Sequence, residues 1–469
     1  MSEQMSEQMS ESNEQQDLTA DVVVVGMGPA GESVAGQLAD AGLDVVGIDR
    51  ELVGGECPYW GCVPSKMMIR AADLLAEARR IPGMAGKVEV VADWAPVAER
   101  IRAEATDNWD DTVAVERFTG KGGRFLRGHG TIIGDRLVEV EGQVIRATRG
   151  IVLATGTGAA IPPIEGLIDT PYWTNREAIA VEELPDSIIV LGGGAIGAEL
   201  AQVFARFGVE ITVVEAQDRL LPLEEPEAGA TLADVFAVEG ITVHLGQFAT
   251  KVGYERQRFS VTLADGTALH ADKLLVATGR KVNLDRLGVE AVGLDPAARA
   301  VGVDEHLRAG PGVWAVGDLT GEGAFTHVGM YQAAIAVADI LGHDHEPASY
   351  AALSRVTFTD PEVGAVGQTE VQAREAGVDV RVALQRVPHT ARGWLHKTGN
   401  EGFVKLVADA STGTLVGATA VGPNGGEVLG LLSLAVHAQV PVDTLRTMIY
   451  AYPTFHRGIE DAVNQLELD

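Results

Sequence analysis

The sequence predicts an α/β chain with two doubly wound, Rossmann-like domains followed by a C-terminal α+β unit. One plan, strand–glycine turn–helix–strand, occurs twice, first in "DVVVVGMGPAGESVAGQLADAGLDVVGIDR" and again in "SIIVLGGGAIGAELAQVFARFGVEITVVE". Each copy is followed by a similar buried strand, "RGIVLATGTG" and "ADKLLVATGR". From about Ser349 the pattern changes to alternating strands with apolar helices, as in "GFVKLVADASTGTLVGATAVG" and "GGEVLGLLSLAVHAQV".

Taken in order, the start "MSEQMSEQMSESNEQQ" is polar and repetitive, and 1–17 is expected to be a disordered tail. Val22 to Val25 reads as a buried strand, followed by an amphipathic helix and a second strand ending at Asp49. Helices are expected at roughly Lys66–Arg80 and Ala95–Val115. Hairpin strands then lead into Ala154-Thr155-Gly156. After the second module, "GVWAVGDLTGEG" gives a strand running into Gly317-Asp318, and an alanine-rich helix covers about Val328 to Leu341.

Gly26, Gly28 and Gly31 form G-x-G-x-x-G between strand and helix, with Asp49 eighteen residues after Gly31. Gly192, Gly194 and Gly197 repeat the spacing, with Glu215 eighteen residues after Gly197. One glycine permits the tight turn, one lets backbone approach a pyrophosphate, and one lets helix pack on strand. The acid accepts from ribose hydroxyls. Two such sites imply two dinucleotides, and hydride chemistry between a nicotinamide and a flavin accounts for both. The Glu215 carboxylate would repel a 2′-phosphate, which favours NADH over NADPH, although Arg219 lies near enough in sequence to soften this.

Both cysteines of the 469-residue chain lie in "GGECPYWGCVPSK", at Cys57 and Cys62. Zinc ligation, two unrelated buried cysteines and a reversible disulfide are the three readings of this pair. Zinc lacks partner ligands at the usual spacing, and no metal site is expected. Residues spaced this way reach disulfide distance if the backbone curls into a helical turn. A thiolate at a helix start is stabilised by the dipole, as thiol–disulfide exchange requires. A net charge of −30 argues against nucleic-acid or anionic-membrane partners. No long apolar run and no secretory signal is evident, so a cytoplasmic protein is expected.

The redox signature around Cys57 and Cys62 resembles that of the pyridine nucleotide–disulfide oxidoreductases, which include dihydrolipoamide dehydrogenase, glutathione reductase and mercuric reductase. The resemblance extends through both glycine turns, "ATG", "AIGAE", "ATGR", "AVGD" and "YPT". It implies an FAD-binding domain at 18–155 and 285–345, an inserted NAD(P)H-binding domain at 156–284, and a dimerisation domain at 346–469 that forms a homodimer. It also implies electron flow from NADH through FAD to a Cys57–Cys62 disulfide, and reversibly on to a small or protein-bound disulfide or dithiol. Cys57 would be the interchange thiol and Cys62 the flavin-facing one, with Lys66 paired to Glu199 near the flavin. Asp318 would hold the ribityl–phosphate region. Thr155, Gly156 and Gly279, in the "ATG" and "ATGR" stretches, would join the cofactor sites.

The pattern breaks near the C-terminus. In "YAYPTFHRGIEDA", Tyr452 stands where the family's acid–base histidine should be, and Arg457 where its glutamate should be. Tyr452 as proton donor, a displaced His456–Glu460 dyad, or a substrate other than a simple disulfide are the options. The chain ends "NQLELD", without the vicinal cysteines of mercuric reductases. Two alternatives therefore stay open: a quinone or metal-ion reductase using the thiols as relay, and a flavoprotein acting as a redox-sensing binding module.

Overall fold

The computed structural model describes residues 18–468, so the expected tail at 1–17 lies outside the described residues. The chain forms two compact units. One holds the residues up to Cys57 with Trp109–Gly158 and Lys281–Ala348; the other holds Pro58–Asn108, Ala159–Arg280 and the chain from Ser349 onward. The architecture is the mixed α/β one expected from the sequence.

In the first unit, strands Val313–Ala315, Gln143–Leu153, Leu18–Val25, Val45–Asp49 and Arg124–Arg127 lie side by side, all parallel. Chain order reverses at Leu18–Val25, so the turn leaving Val25 sits at the sheet's switch point, where open α/β sheets bind ligands. The valine run follows from burial on both faces. Val22 and Val24 enter one apolar cluster with Val34 and Leu38, while Val23 and Val25 enter another with Ile151 and Leu153.

In the second unit the plan repeats. Strands Thr242–Leu245, Glu210–Glu215, Ser187–Leu191 and Lys273–Val276 form a parallel sheet. Ile188 and Val190 face one cluster, and Ile189 and Leu191 the other. The C-terminal part is a five-stranded antiparallel sheet in the order Ser354–Thr357, Glu362–Gly367, Thr414–Gly422, Phe403–Asp409, Val380–Arg386. Helix Gly425–His437 buries Leu429 and Leu432 against it.

Two helices differ from expectation. The one expected from Lys66 begins at Cys62 and runs to Arg80. The one expected over Ala95–Val115 is broken into Ala95–Arg100, a π turn, a short 3₁₀ turn and Thr112–Thr119. Asp107, Asn108 and Trp109 take positive φ there, and Asp110 Oδ1 accepts from the Thr112 amide. Short polar side chains compete with the helix for backbone hydrogen bonds, and "TDNWDD" supplies five in six residues. Among the described residues no helix is long and apolar enough to cross a membrane.

Lys405, central in the antiparallel sheet and 3% exposed, is a polar exception in the core. Its ammonium bonds Glu225 and Glu227 at 2.9 Å and Glu370 at 3.1 Å. Glu225 is 1% exposed, so Lys405→Met strands its carboxylate. The expected cost is about 3–5 kcal/mol, read as a lower urea midpoint.

Candidate active site

Each glycine turn has the same local construction. Gly26 has φ +96° and Gly192 φ +108°, in the region open to glycine. A Cβ on Gly31 would stand 1.9 Å from the Gly26 carbonyl oxygen, and one on Gly197 2.0 Å from that of Gly192. Helix therefore lies directly on turn in both modules. Gly28 and Gly194, the N-caps of helices Pro29–Asp40 and Ala195–Arg206, face open space within 4 Å. That clearance over a helix N-terminus fits a pyrophosphate.

The two acids are also placed alike. Asp49 accepts from the Met27 amide at 2.7 Å and the Glu51 amide at 2.8 Å. Glu215 accepts from the Gly193 amide at 2.6 Å and the Gln217 amide at 2.7 Å. Each carboxylate thus clamps the middle residue of its own glycine turn, a structural role that precedes any ribose contact. Burial pushes the Asp49 carboxyl up from its ordinary value, against these amide bonds. Arg219 is turned toward Asp218 and the Pro222 carbonyl, both in its own loop.

Cys57 lies in the single turn Glu56–Tyr59 and is half-buried; Cys62 is exposed and is the first residue of helix Cys62–Arg80. The preceding "GG" has a packing reason, since a Cβ on Gly55 would come 2.8 Å from the Gly28 Cα. Upstream, the Val53 amide donates to Asp111 at 2.6 Å, and Arg127 bonds the same carboxylate. Trp60 is held through its carbonyl, which accepts from Asn175 at 2.7 Å, and the Arg176 guanidinium stands 5.5 Å from its ring.

Lys66, one turn into the thiol helix, reaches Glu199 at 2.9 Å. Glu199 is 6% exposed, and its second oxygen accepts from the Phe358 amide at 2.8 Å. The Lys66 ammonium also lies 4.5 Å from the Phe358 ring. The same helix face continues the clamp. Gln202 donates to the Asp360 carbonyl and accepts from the Asp360 amide. Arg206 bonds Asp73, Glu239 and Asp360. Thiol helix, second glycine helix and the 358–360 segment are thereby fastened together.

Asp318 accepts from the Thr157 hydroxyl at 2.7 Å, beside exposed Thr155 and positive-φ Gly156. Its turn is locked by Gln332, whose oxygen accepts from the Gly317 amide at 2.6 Å and whose amide donates to Thr320. Sequence reasoning missed Gln332, Asp111, Gln202, Arg206 and Asp360. The signal for Gln332 was a polar residue beside the Ala-Ala-Ile-Ala-Val run of its helix. Gly279, at φ +123°, follows the second module's last parallel strand.

The displaced dyad is not formed. Glu460 pairs with Arg457 at 3.1 Å, and the His456 ring instead faces Tyr450 at 6.1 Å. The Arg457 guanidinium, standing where the family's glutamate was expected, is the stronger partner for a neighbouring carboxylate. It also lies 5.3 Å from the ring of Tyr452, which is 70% exposed. Tyr450 is committed elsewhere: its hydroxyl donates to the Leu445 carbonyl at 3.1 Å, and burial, then Glu460, push its phenol up to about 12.

Gly31→Ala or Gly197→Ala should destabilise the fold, whereas Gly28→Ala or Gly194→Ala should fold normally and lose flavin or nicotinamide binding respectively, measured by flavin retention and by NADH titration. Lys66→Met should cost about 1–3 kcal/mol, since the lysine is partly solvent-screened and Glu199 keeps the Phe358 amide, and Lys66→Met with Glu199→Gln should regain part of it. Additive losses in that double-mutant cycle would show that the two side chains act independently.

The geometry is matched by what the chain resembles. Residues 20–338 match the family model of pyridine nucleotide-disulphide oxidoreductases, and residues 353–463 match that family's dimerisation domain. A mercuric reductase of Acidithiobacillus ferrooxidans is 33% identical over 96% of this chain and 83% of its own length. A dihydrolipoyl dehydrogenase of Chlorobaculum tepidum is 35% identical over 94% of this chain and 96% of its own. Among solved structures, the HOCl-induced flavoprotein disulfide reductase RclA of Escherichia coli, as a Cu(II) complex, superposes with a TM-score of 0.84 at 25% identity, covering 95% of this chain and 99% of that one. LpdA of Mycobacterium tuberculosis gives 0.83 at 27%, covering 96% and 99%. The chain therefore belongs to the pyridine nucleotide-disulphide oxidoreductases, and is an FAD-dependent NAD(P)H oxidoreductase.

Proposed function

We propose that this protein passes electrons from NADH to a Cys57–Cys62 disulfide and from there to a disulfide-type substrate, in a reaction that also runs in reverse. The observation that carries this reading is Cys62 at the first position of a helix whose Lys66 is clamped to buried Glu199. Bound FAD would supply two-electron exchange between nicotinamide and thiols. The chain's residues supply the rest. Amides at the N-terminus of the thiol helix stabilise Cys62 as thiolate. The Lys66 ammonium, fixed by Glu199, presents a positive charge one turn further on. Half-buried Cys57 is the thiol that exchanges with substrate.

Cofactor placement follows the same reading. Residues 18–155 and 285–345 bind FAD, through Gly26, Gly28, Gly31, Asp49 and Asp318. Residues 156–284 bind NADH, through Gly192, Gly194, Gly197 and Glu215. Glu215, 7% exposed and tied to two amides, has no freedom to retreat from a 2′-phosphate, and this supports NADH over NADPH. Residues 346–469 pair two chains as a cytoplasmic homodimer.

Tyr452 is the proton donor in this reading, with the Arg457 guanidinium standing over its exposed ring. A tyrosine gives up its proton far less readily than an imidazole near neutrality. This supports the quinone or metal-ion alternative, in which no such proton is needed at a thiol. A redox-sensing binding module has no observation behind it, since the relatives are oxidoreductases.

Anaerobic NADH titration separates these readings. A long-wavelength thiolate-to-flavin band after two electrons, lost in Cys62→Ser, is expected; direct bleaching of the flavin would overturn the thiol route. Disulfide reduction should fall by at least about 100-fold in Cys57→Ser, and by about 10–100-fold in Tyr452→Phe, within the range for a lost general acid. Quinone turnover that survives Cys57→Ser while no disulfide is reduced would select the alternative.

A further inference from the structure

A group of side chains lies apart from all of this, at the far end of helix Thr326–Leu341. Asp339 is in the helix's last turn, His345 follows the Gly342 cap, and His306 comes from the loop before strand Arg308–Gly310. One donor atom from each lies within 4.8 Å of the others. His306 lies 33 residues before Asp339, so no compact ligand motif marks the three, and no metal was expected from the sequence. We infer that His306, Asp339 and His345 form a binding site for one divalent first-row transition ion such as Zn²⁺ or Cu²⁺, independent of the thiol chemistry.

The donor set is the first argument. Two imidazoles and one carboxylate suit zinc, copper or nickel, whereas magnesium and calcium prefer all-oxygen ligands. Orientation is the second. His345 Nδ1 lies 3.0 Å from the Glu346 carbonyl and donates to it, which leaves the Nε2 lone pair free. That Nε2 is the atom 3.7 Å from Asp339 Oδ1, too far for a hydrogen bond. Metal-bound histidines are held in this way, with the other ring nitrogen donating to a carbonyl.

The other two ligands are equally prepared. Asp339 is fixed by Trp314, whose indole donates to Oδ2 at 2.8 Å, and by Arg308, which bonds Oδ2 as well and is the one donor to Oδ1, the oxygen facing His345. A carboxylate oxygen that accepts one hydrogen bond keeps lone pairs for an ion. His306 is set by Asp304, whose carboxylate accepts from the His306 and Arg308 amides at 2.9 Å each. Its Nδ1 is buried with no hydrogen-bond partner. The two rings meet edge to face with centroids 5.0 Å apart. Binding one ion at about 2.0–2.1 Å draws these donors together from separations of up to 4.8 Å. The Arg308 guanidinium competes for Asp339, which sets the affinity below that of a structural zinc site.

The test uses the untagged, flavin-loaded chain carrying Cys57→Ser and Cys62→Ser, so that the thiols take no metal. Zn²⁺ uptake is measured in competition with a chromophoric chelator, and Cu²⁺ coordination by electron paramagnetic resonance. One equivalent of Zn²⁺ is expected, with affinity at least tenfold weaker after His345→Asn and lost after His306→Asn with His345→Asn. The Cu²⁺ spectrum should show two nitrogen ligands. If the parent takes up no more Zn²⁺ than the double-histidine variant, the site does not exist. A Cu²⁺ spectrum without nitrogen coupling overturns it without any variant having to fold.

Discussion

The buried carboxylate of Glu199 is the constraint on which the catalytic arrangement rests. A charge at 6% exposure is tolerable only with partners on all sides. Lys66 supplies the opposite charge and the Phe358 amide the second hydrogen bond. Satisfying this one group fixes where the thiol helix, the second glycine helix and the C-terminal segment meet. Gln202 and Arg206, on the same helix face, extend the fastening along the interface. Lys66 is therefore positioned by the second module and by the antiparallel unit.

The two modules show how little local sequence is needed for a nucleotide cradle. A carbonyl pressed to within 2 Å of where a side chain would begin forces glycine at Gly31 and Gly197. An acid at the end of the next strand then ties down the turn by its middle amide, Met27 in one copy and Gly193 in the other. Both constraints act across fewer than thirty residues, so they leave a regular spacing in the chain. The C-terminal departure obeys the same electrostatics. Once an arginine replaces the family's glutamate at position 457, Glu460 pairs with it, and the histidine is left against a tyrosine ring.

The sequence by itself determined the α/β class, the two glycine turns, the thiol pair and the family, because each is written in short-range spacing and periodicity. Alternation of buried valines requires only that both sheet faces be covered. Lys66 and Glu199 were legible through the resemblance alone, since nothing in the chain between positions 133 apart connects them. The tertiary structure alone decided the rest: that Asp360 receives Arg206, that Lys405 satisfies three glutamates, that Gln332 locks the Asp318 turn, and that His306 and His345 converge on Asp339. Those pairings are choices among many chemically equivalent side chains, made by which surfaces the packed sheets and helices bring within a few ångströms, and one-dimensional spacing carries no record of them.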